Sequence, residues 1–402
     1  MFPFASRVPL QDRRNYILDA VAGAYYGFFL GFSAPFVPVI LKRLEATPFE
    51  MGLSLAAPFL SLVVAFPFYR FLKGFRALDL VTIPTFFSRF CVAFIGLSST
   101  TRWILAFFVV AQFVESLGLA AYTRVLKEMY TPQGRGLAMG LVRFFIAGAM
   151  IAGSAMGGLL MDQGHFFLPF LLAGISGSVS SFGFWHMFPR DRSPLFSPVS
   201  IGPRDILRTL AGSEAFFWLN VTVLFFGFGN LLVVGSLPTM LVDRFHITNA
   251  SLGYLNGLTS LLQMGSYVAI GALLGRIGGT RGLLVGMAAG VANPLVFYFA
   301  PRLEWLAIPF ALTGVMNASF DLCWPVLVLT MAPETEIGVF ASVYTLHMGM
   351  RGLVAMFTAN LALPQLGTGF FFGLGGTLMV LGLAVGWLLL DKWESPVSNP
   401  TA

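Results

Sequence analysis

Long apolar runs with few charges recur along the whole chain, and they constrain its fold more than any other feature. A run of about 20 apolar residues is long enough for a helix to cross the hydrocarbon core of a bilayer. Because lipid offers no hydrogen-bond partners to the backbone, a spanning segment must be a helix or part of a closed barrel. A barrel is built from short alternating segments, whereas the runs here are continuous. The sequence therefore predicts an all-α polytopic membrane protein.

Twelve such runs fall into two sets of six, which predicts two six-helix bundles. The first six runs cover 15–41, 49–69, 79–98, 103–122, 137–160 and 166–187. The second six cover 215–241, 251–274, 282–300, 304–330, 338–360 and 369–390. The longest connection lies between the sets and is rich in Pro and Ser. We expect an N-terminal bundle over 1–188, a cytoplasmic linker over 189–214, and a C-terminal bundle with a short cytoplasmic tail over 215–402.

The composition agrees with a chain surrounded by lipid. Only 10% of the residues are charged, against about a quarter in a typical soluble domain. The net charge of +6 sits in short loops, so membrane topology explains it and we expect no nucleic-acid partner. Loops on the side of the N-terminus hold sixteen Lys and Arg residues, against five on the other side. This bias predicts that both termini are cytoplasmic.

The two halves of the sequence repeat. Residues matched at an offset of 200 or 201 are Gly27 with Gly227, Pro38 with Pro238, Arg43 with Arg244, Thr47 with Thr248, Gly52 with Gly253, Gly74 with Gly275, and Pro132 with Pro333. A near-constant offset through four helices predicts two pseudo-symmetric bundles related by an axis along the membrane normal.

Two loops carry a resemblance to a known family. The segment GALLGRIGGTRG is similar to the Gly-rich basic loop of the major facilitator superfamily, and YTPQGRG resembles its Pro-x-x-Arg-Gly turn. The matching positions are Gly271, Arg276, Gly278 and Arg281 in the first loop, and Pro132, Arg135 and Gly136 in the second. A further copy of the Gly-rich loop, YRFLKGFRALD, is eroded. The resemblance covers nearly the whole chain and implies a monomeric secondary transporter of the plasma or inner membrane that works by alternating access.

The fifth predicted span bears on the direction of transport. Its sequence GLVRFFIAGAMIAGSAMGG resembles the Gly-rich helix of antiporters in this family, which favours a proton-coupled exporter of a small molecule. Close helix packing explains the small residues equally well. A proton-coupled uptake symporter for a sugar or metabolite, and a membrane sensor or scaffold that transports nothing, remain alternatives.

Ionisable residues inside the membrane cost about 2.5–3.5 kcal/mol on insertion scales, so they are functional candidates. The proton-coupling candidates are Asp19, Glu115, Arg143, Asp321, His347 and Arg351. Depth along the helices pairs Glu115 with Arg143 and places Asp321 level with His347. Asp19 lies near the start of its predicted helix, which favours interfacial capping. Arg89 lies on a helix that is peripheral in the resembled family, which favours a structural anchor.

Uncharged polar residues inside the spans could line a substrate path, although hydrogen bonding between helices is an alternative for each. These candidates are Gln112, Asn220, Asn230, Asn256, Gln263 and Asn317. The four histidines are scattered, and the chain has no phosphate-binding loop of the Walker type. We therefore expect no enzymatic activity, no metal and no cofactor, with lipid, a small-molecule substrate and protons as the partners.

Overall fold

The computed structural model describes residues 4–187, 193–196, 202–333 and 335–390. Within these ranges the chain is almost entirely helical, and its only extended pairing is a single bridge between Arg76 and Leu195. The α-helices are α1 Arg13–Ser33, α2 Phe36–Arg43, α3 Pro48–Tyr69, α4 Ala77–Ala93, α5 Thr101–Met129, α6 Pro132–Asp162, α7 Phe167–Met187, α8 Pro203–Gly212, α9 Glu214–Thr239, α10 Asn249–Val291, α11 Asn293–Phe299, α12 Ala307–Met331 and α13 Ile337–Val385. The predicted all-α fold is confirmed.

The described residues contain eleven helices long and apolar enough to cross a membrane. The last of them, Ile337–Leu390, has 54 residues, whereas about 20 suffice for one crossing. It is interrupted at Gly367, whose φ of 72° lies in the left-handed region that favours glycine. This turn divides the segment into two pieces that correspond to the last two predicted spans.

A second glycine makes the same kind of turn within α10. Gly278 has a φ of 79° and lies close to the junction of the candidate spans Asn249–Leu274 and Arg276–Phe299. Gly278 belongs to the Gly-rich basic motif, so the positive φ explains why this position of the motif holds glycine. The turns also echo the repeat, because Gly164 and Gly367 both adopt positive φ between consecutive predicted spans.

The chain folds into two compact units. One comprises Met1–Pro198 with His246–Ser260, and the other comprises Val199–Phe245 with Leu261–Ala402. In the first unit α1 packs against α6 and α7, and α4 packs against α5 and α7. Its buried core contains large side chains such as Tyr16 and Leu78. α1 and α4 therefore both pack against α7.

The first turn of α10 belongs to the first unit and is capped from α6. Asp162, at the end of α6, accepts hydrogen bonds from the backbone N–H groups of Asn249 at 3.0 Å and Ala250 at 2.8 Å. Arg43 donates to the Asn249 side chain at 2.6 Å and to the carbonyl of Ile247. A carboxylate at a helix N-terminus satisfies otherwise open N–H groups and interacts favourably with the helix dipole.

The predicted linker contains ordered structure. Residues 193–196 pair with the loop after α3, where Gly74 donates to the Phe196 carbonyl at 2.9 Å and Phe196 donates to the Phe75 carbonyl at 2.8 Å. The Phe196 ring packs edge-on against Tyr69 at 5.9 Å and is only 4% exposed. The eroded copy of the Gly-rich loop is therefore the segment that this part of the linker covers. Residues 188–192 and 197–201, in or beside the predicted linker, and the predicted tail over 391–402 lie outside the described residues.

The second unit begins with a helix that the linker prediction missed. α8 starts with Pro203 at its first position, and Asp205 accepts a hydrogen bond from the Gly202 N–H at 2.8 Å. Both features are typical of a helix N-terminus. A ten-residue helix of mixed polarity carries no long apolar run and is too short to span a membrane, so hydrophobic length does not reveal it. The rest of this unit packs α9 against α13, and α11 against α12 and α13.

Candidate functional site

Charged and polar side chains from several spans meet at a cavity of about 340 Å³ in the first unit. α1, α3, α4, α5, α6 and α7 all contribute to its lining. The polar and ionisable lining residues are Asp19, Tyr26, Thr85, Arg89, Gln112, Glu115, Ser116, Tyr122 and Ser180. Three residues predicted from the sequence, Asp19, Gln112 and Glu115, are thus brought to one cavity.

Glu115 pairs with Arg89, not with Arg143 as helix depth suggested. The Arg89 Nη2 atom lies 2.8 Å from Glu115 Oε1, and Arg89 Nε donates to the same oxygen at 3.3 Å. Arg89 therefore lies at the wall of the cavity, where its contacts hold neighbouring helices together, and its role as a structural anchor stays a prediction. Depth fixes only the position of a residue along its helix, whereas the rotation of α4 against α5 and α7 turns Arg89 inward.

Aromatic rings and hydroxyl groups complete the surroundings of Arg89. Its guanidinium carbon lies 4.4 Å from the ring centre of Tyr26 and 5.7 Å from that of Phe29. The Nη1 atom donates to Ser180 Oγ at 3.1 Å. Gly177 makes room for this arrangement, because a Cβ built there would lie 2.8 Å from both the Arg89 Cβ and the Phe29 ring. The side chain of Arg89 is 8% exposed, so its charge is held inside the helix bundle.

The second carboxylate oxygen of Glu115 is left open. Within the described residues Oε2 is buried and has no hydrogen-bond partner, although the Glu115 side chain as a whole is 28% exposed. A buried acceptor without a partner loses the hydrogen bonds that water would have given it. This oxygen is therefore free to accept a hydrogen bond from a further donor.

Asp19 lies deeper than the sequence suggested. α1 begins at Arg13 and is preceded by a turn over Leu10–Asp12, so the candidate span starts at Leu10. Asp19 is 3% exposed, and its Oδ2 atom accepts a hydrogen bond from the hydroxyl of Tyr130 at 2.8 Å. The expected role as an interfacial cap is therefore wrong. The error came from placing the start of the first span at the first long apolar run.

In the second unit Arg351 has a different environment. It donates to the carbonyl of Val223, and its guanidinium occupies the space where a Cβ on Gly227 would lie. Within the described residues the Arg351 Nε and the His347 Nδ1 are buried without hydrogen-bond partners. Asp321, which the sequence placed level with His347, accepts hydrogen bonds from Tyr267 at 2.5 Å and Gln263 at 3.3 Å.

The remaining predicted residues are dispersed. The Asn220 and Asn256 side chains donate to carbonyl groups of their own helices, at 2.8 Å and 3.0 Å, and Asn230 and Asn317 are half-buried. Arg143 is half-buried on α6 and is not among the lining residues of the cavity. Gly271, Arg276 and Arg281 are exposed near the Gly278 turn. In the described part of the chain, no three His, Cys, Asp or Glu side chains are grouped closely enough to hold a metal ion.

Three tyrosines were not predicted from the sequence: two line the cavity, and one binds the Asp19 carboxylate. Tyr26 and Tyr122 line the cavity, and Tyr130 holds Asp19. A search for charged groups in apolar runs passes over tyrosine. A usable signal was present, since Tyr26 lies seven residues after Asp19 on α1 and so shares its face.

A family model decides what kind of protein carries this cavity. The model described as Major Facilitator Superfamily matches residues 20–356. The chain belongs to the major facilitator superfamily. It is therefore a multi-pass membrane transporter, surrounded by lipid, as its helices and their turns indicated.

Solved structures of other major facilitator transporters share this fold. A POT family transporter in complex with a thioalcohol-conjugated peptide matches with a TM-score of 0.72 and 11% identity, covering 97% of this chain and all of that one. The human organic anion transporter MFSD10 (TETRAN) matches with a TM-score of 0.70 and 12% identity over 94% of this chain and all of that one. A bacterial homolog of the human lysosomal transporter Spinster, inward-facing and unoccupied, matches with a TM-score of 0.64 and 14% identity over 98% of this chain and all of that one. No curated protein sequence matches the chain.

Proposed function

We propose that this protein is a proton-coupled secondary transporter that exports a small molecule by alternating access. The observation that carries the proposal is the Glu115–Arg89 pair at the wall of a cavity within the membrane spans. An ionisable pair in such a place is costly and is a functional candidate by default. Family membership supports transport as such.

Glu115 is the proposed coupling residue because its two oxygens have different roles. Oε1 binds Arg89, and Oε2 has no hydrogen-bond partner within the described residues. Protonation of Oε2 removes the negative charge and weakens the attraction to Arg89. Because α4 and α5 carry the two partners, a change in this attraction biases how these helices pack. The charge state of one carboxylate can thus be linked to the opening of the cavity.

Export is the proposed direction, on the Gly-rich pattern of α6. Two of its glycines lie at the contact of α6 with α1: a Cβ on Gly153 would lie 3.2 Å from the Phe28 carbonyl oxygen, and one on Gly157 would lie 3.2 Å from the Phe32 ring. These glycines allow α1 and α6 to pack closely beside the cavity. We also propose that both termini face the cytoplasm of a plasma or inner membrane, that the protein acts as a monomer, and that it catalyses no chemical reaction.

The deciding experiment is transport by the purified protein in proteoliposomes with an imposed pH gradient. A substrate is first found by a thermal-shift screen, because ligands of the folded state raise its apparent stability. Wild-type protein is expected to move this compound against the proton flow, and Glu115→Gln to move it independently of the gradient. Glu128→Gln, an exposed glutamate on the same helix, serves as the matched control.

Three results would contradict the proposal. Uphill uptake with the proton flow would show a symporter, and the absence of flux for every compound that binds would favour a sensor or scaffold. Full gradient dependence in Glu115→Gln would assign the coupling to another residue.

A further inference from the structure

Arg89 lines the cavity, but its guanidinium already forms hydrogen bonds with protein groups. The Nε and Nη2 atoms both point at Glu115 Oε1, and Nη1 donates to Ser180 Oγ. The guanidinium also lies against the rings of Tyr26 and Phe29. A guanidinium has five N–H donors, and most of them are directed at protein groups here. An anionic ligand would have to displace these contacts, so Arg89 does not offer a ready anion site.

Among the described lining residues of the cavity, the acids outnumber the bases. This lining contains two carboxylates, Asp19 and Glu115, and one guanidinium, that of Arg89. Tyr130 provides Asp19 with one hydrogen bond, whereas Glu115 Oε2 has no partner within the described residues. Removing carboxylates from water without a compensating charge is expensive. A positively charged ligand would balance the excess and supply a donor to the open oxygen.

The rest of the lining is apolar and aromatic. Tyr26, Tyr122 and Phe184 contribute rings, and aliphatic side chains such as Leu62 and Ile146 cover much of the remainder. Aromatic faces attract cations, because the ring carries a negative electrostatic potential over its face. The volume of about 340 Å³ lies at the lower end of the range of about 300–1,000 Å³ that holds drug-sized ligands.

We propose that this cavity binds a small organic cation with an aromatic or apolar body. The ammonium group lies against the open Oε2 atom of Glu115, and Asp19 adds a second negative charge to the same lining. The apolar body lies against the tyrosine, phenylalanine and aliphatic walls. Arg89 is a positioning residue that holds Glu115 and does not contact the ligand charge. This assignment rests on the proposed transport function and names the class of its substrate.

The test compares three probes that share one aromatic body: 2-phenylethylammonium, 3-phenylpropionate and 2-phenylethanol. Binding to the purified full-length protein in detergent is measured by titration calorimetry and thermal shift. The cation is expected to bind and stabilise the protein, the alcohol to bind at least tenfold more weakly, and the carboxylate not to bind. Asp19→Asn and Glu115→Gln are each expected to weaken the cation at least tenfold, whereas Glu128→Gln leaves its affinity unchanged. Asp19→Asn keeps an acceptor for Tyr130, so it remains informative if Glu115→Gln fails to fold.

Binding of the carboxylate as tightly as the cation, or no binding of the cation to wild-type protein, would overturn the inference. Equal loss of affinity in Glu128→Gln would also overturn it, because the effect would then not depend on the cavity. The two proposals fail separately. Cation binding that depends on the carboxylates, without gradient-driven flux, would refute the proton coupling and keep the ligand class. Gradient-driven flux of a neutral or anionic compound, without cation binding, would keep the proton coupling and refute the ligand class.

Discussion

Arg89 and Glu115 form an ion pair between α4 and α5, with the Arg89 Nη2 atom 2.8 Å from the Glu115 Oε1 atom. The two residues are distant in sequence, and both line one cavity. Since each charge compensates the other within the bundle, losing one partner should cost more than losing both.

The first prediction follows from this pair. Arg89→Met is expected to destabilise the protein strongly, because breaking a buried pair costs about 3–5 kcal/mol. The partial exposure of Glu115 places the expected value at the lower end. Adding Glu115→Gln to this variant should recover part of the loss. Thermal unfolding of the two single variants and the double variant in one detergent measures the coupling. Strictly additive losses would show that the two side chains do not interact.

A second prediction concerns the space that Gly227 leaves for Arg351. A methyl group at this position would overlap the guanidinium, so Gly227→Ala should displace Arg351 and lower the unfolding temperature. Gly373→Ala on α13 is the control, because a Cβ there meets nothing within 4 Å and alanine is the better helix former. The two variants should shift the unfolding temperature in opposite directions or at least by clearly different amounts. Equal shifts would mean that Arg351 does not occupy this space.

A third prediction separates two glycines of the Gly-rich basic motif. Gly278 has a φ of 79° and a ψ of 170°, a conformation almost restricted to glycine, so Gly278→Ala should cost about 1–3 kcal/mol of backbone strain. Gly271 is exposed, and a Cβ there meets no atom within 4 Å, so Gly271→Ala should be neutral or stabilising. Unfolding temperatures of the purified variants give the comparison. A destabilised Gly271→Ala would point to a contact that this geometry does not contain.

The cap of α10 gives a fourth prediction. Asp162→Ala removes the acceptor of the Asn249 and Ala250 N–H groups and should cost about 0.5–2 kcal/mol. Hydrogen exchange of these two amides should accelerate. The Ser251 amide is an internal reference, because Thr248 Oγ1 accepts its hydrogen bond at 3.1 Å. Unchanged exchange at Asn249 and Ala250 would rule out capping by Asp162.

The sequence predicted the helices well because hydrophobic length is a direct requirement of the bilayer. The repeat also has local counterparts: Thr47 caps the start of α3 through the Glu50 N–H at 3.3 Å, and its match Thr248 caps through the Ser251 N–H at 3.1 Å. The start of the first span was misplaced because the turn over Leu10–Asp12 is polar and short, yet continuous with α1. That error alone moved Asp19 from the interior to the interface.

The cavity was only partly predictable. Glu115, Asp19 and Gln112 were found because polar residues are rare in apolar runs, but their partners depend on how each helix is rotated. Rotation is set by packing contacts such as Gly177 against Arg89, which involve residues far apart in sequence. Linear depth therefore selected Arg143 for Glu115, where the fold provides Arg89. Similarly, Gly227 gives no sign in the sequence that it accommodates Arg351.

The cap on α10 also has a consequence for the order of synthesis. Asp162 precedes Asn249 by 87 residues, so the acceptor carboxylate leaves the ribosome well before the amides that donate to it. The beginning of α10 is thus completed by a residue inserted earlier, and a fragment starting after α8 would carry these amides exposed. Splitting the gene at the linker should accordingly yield two polypeptides that mature poorly unless they are produced together.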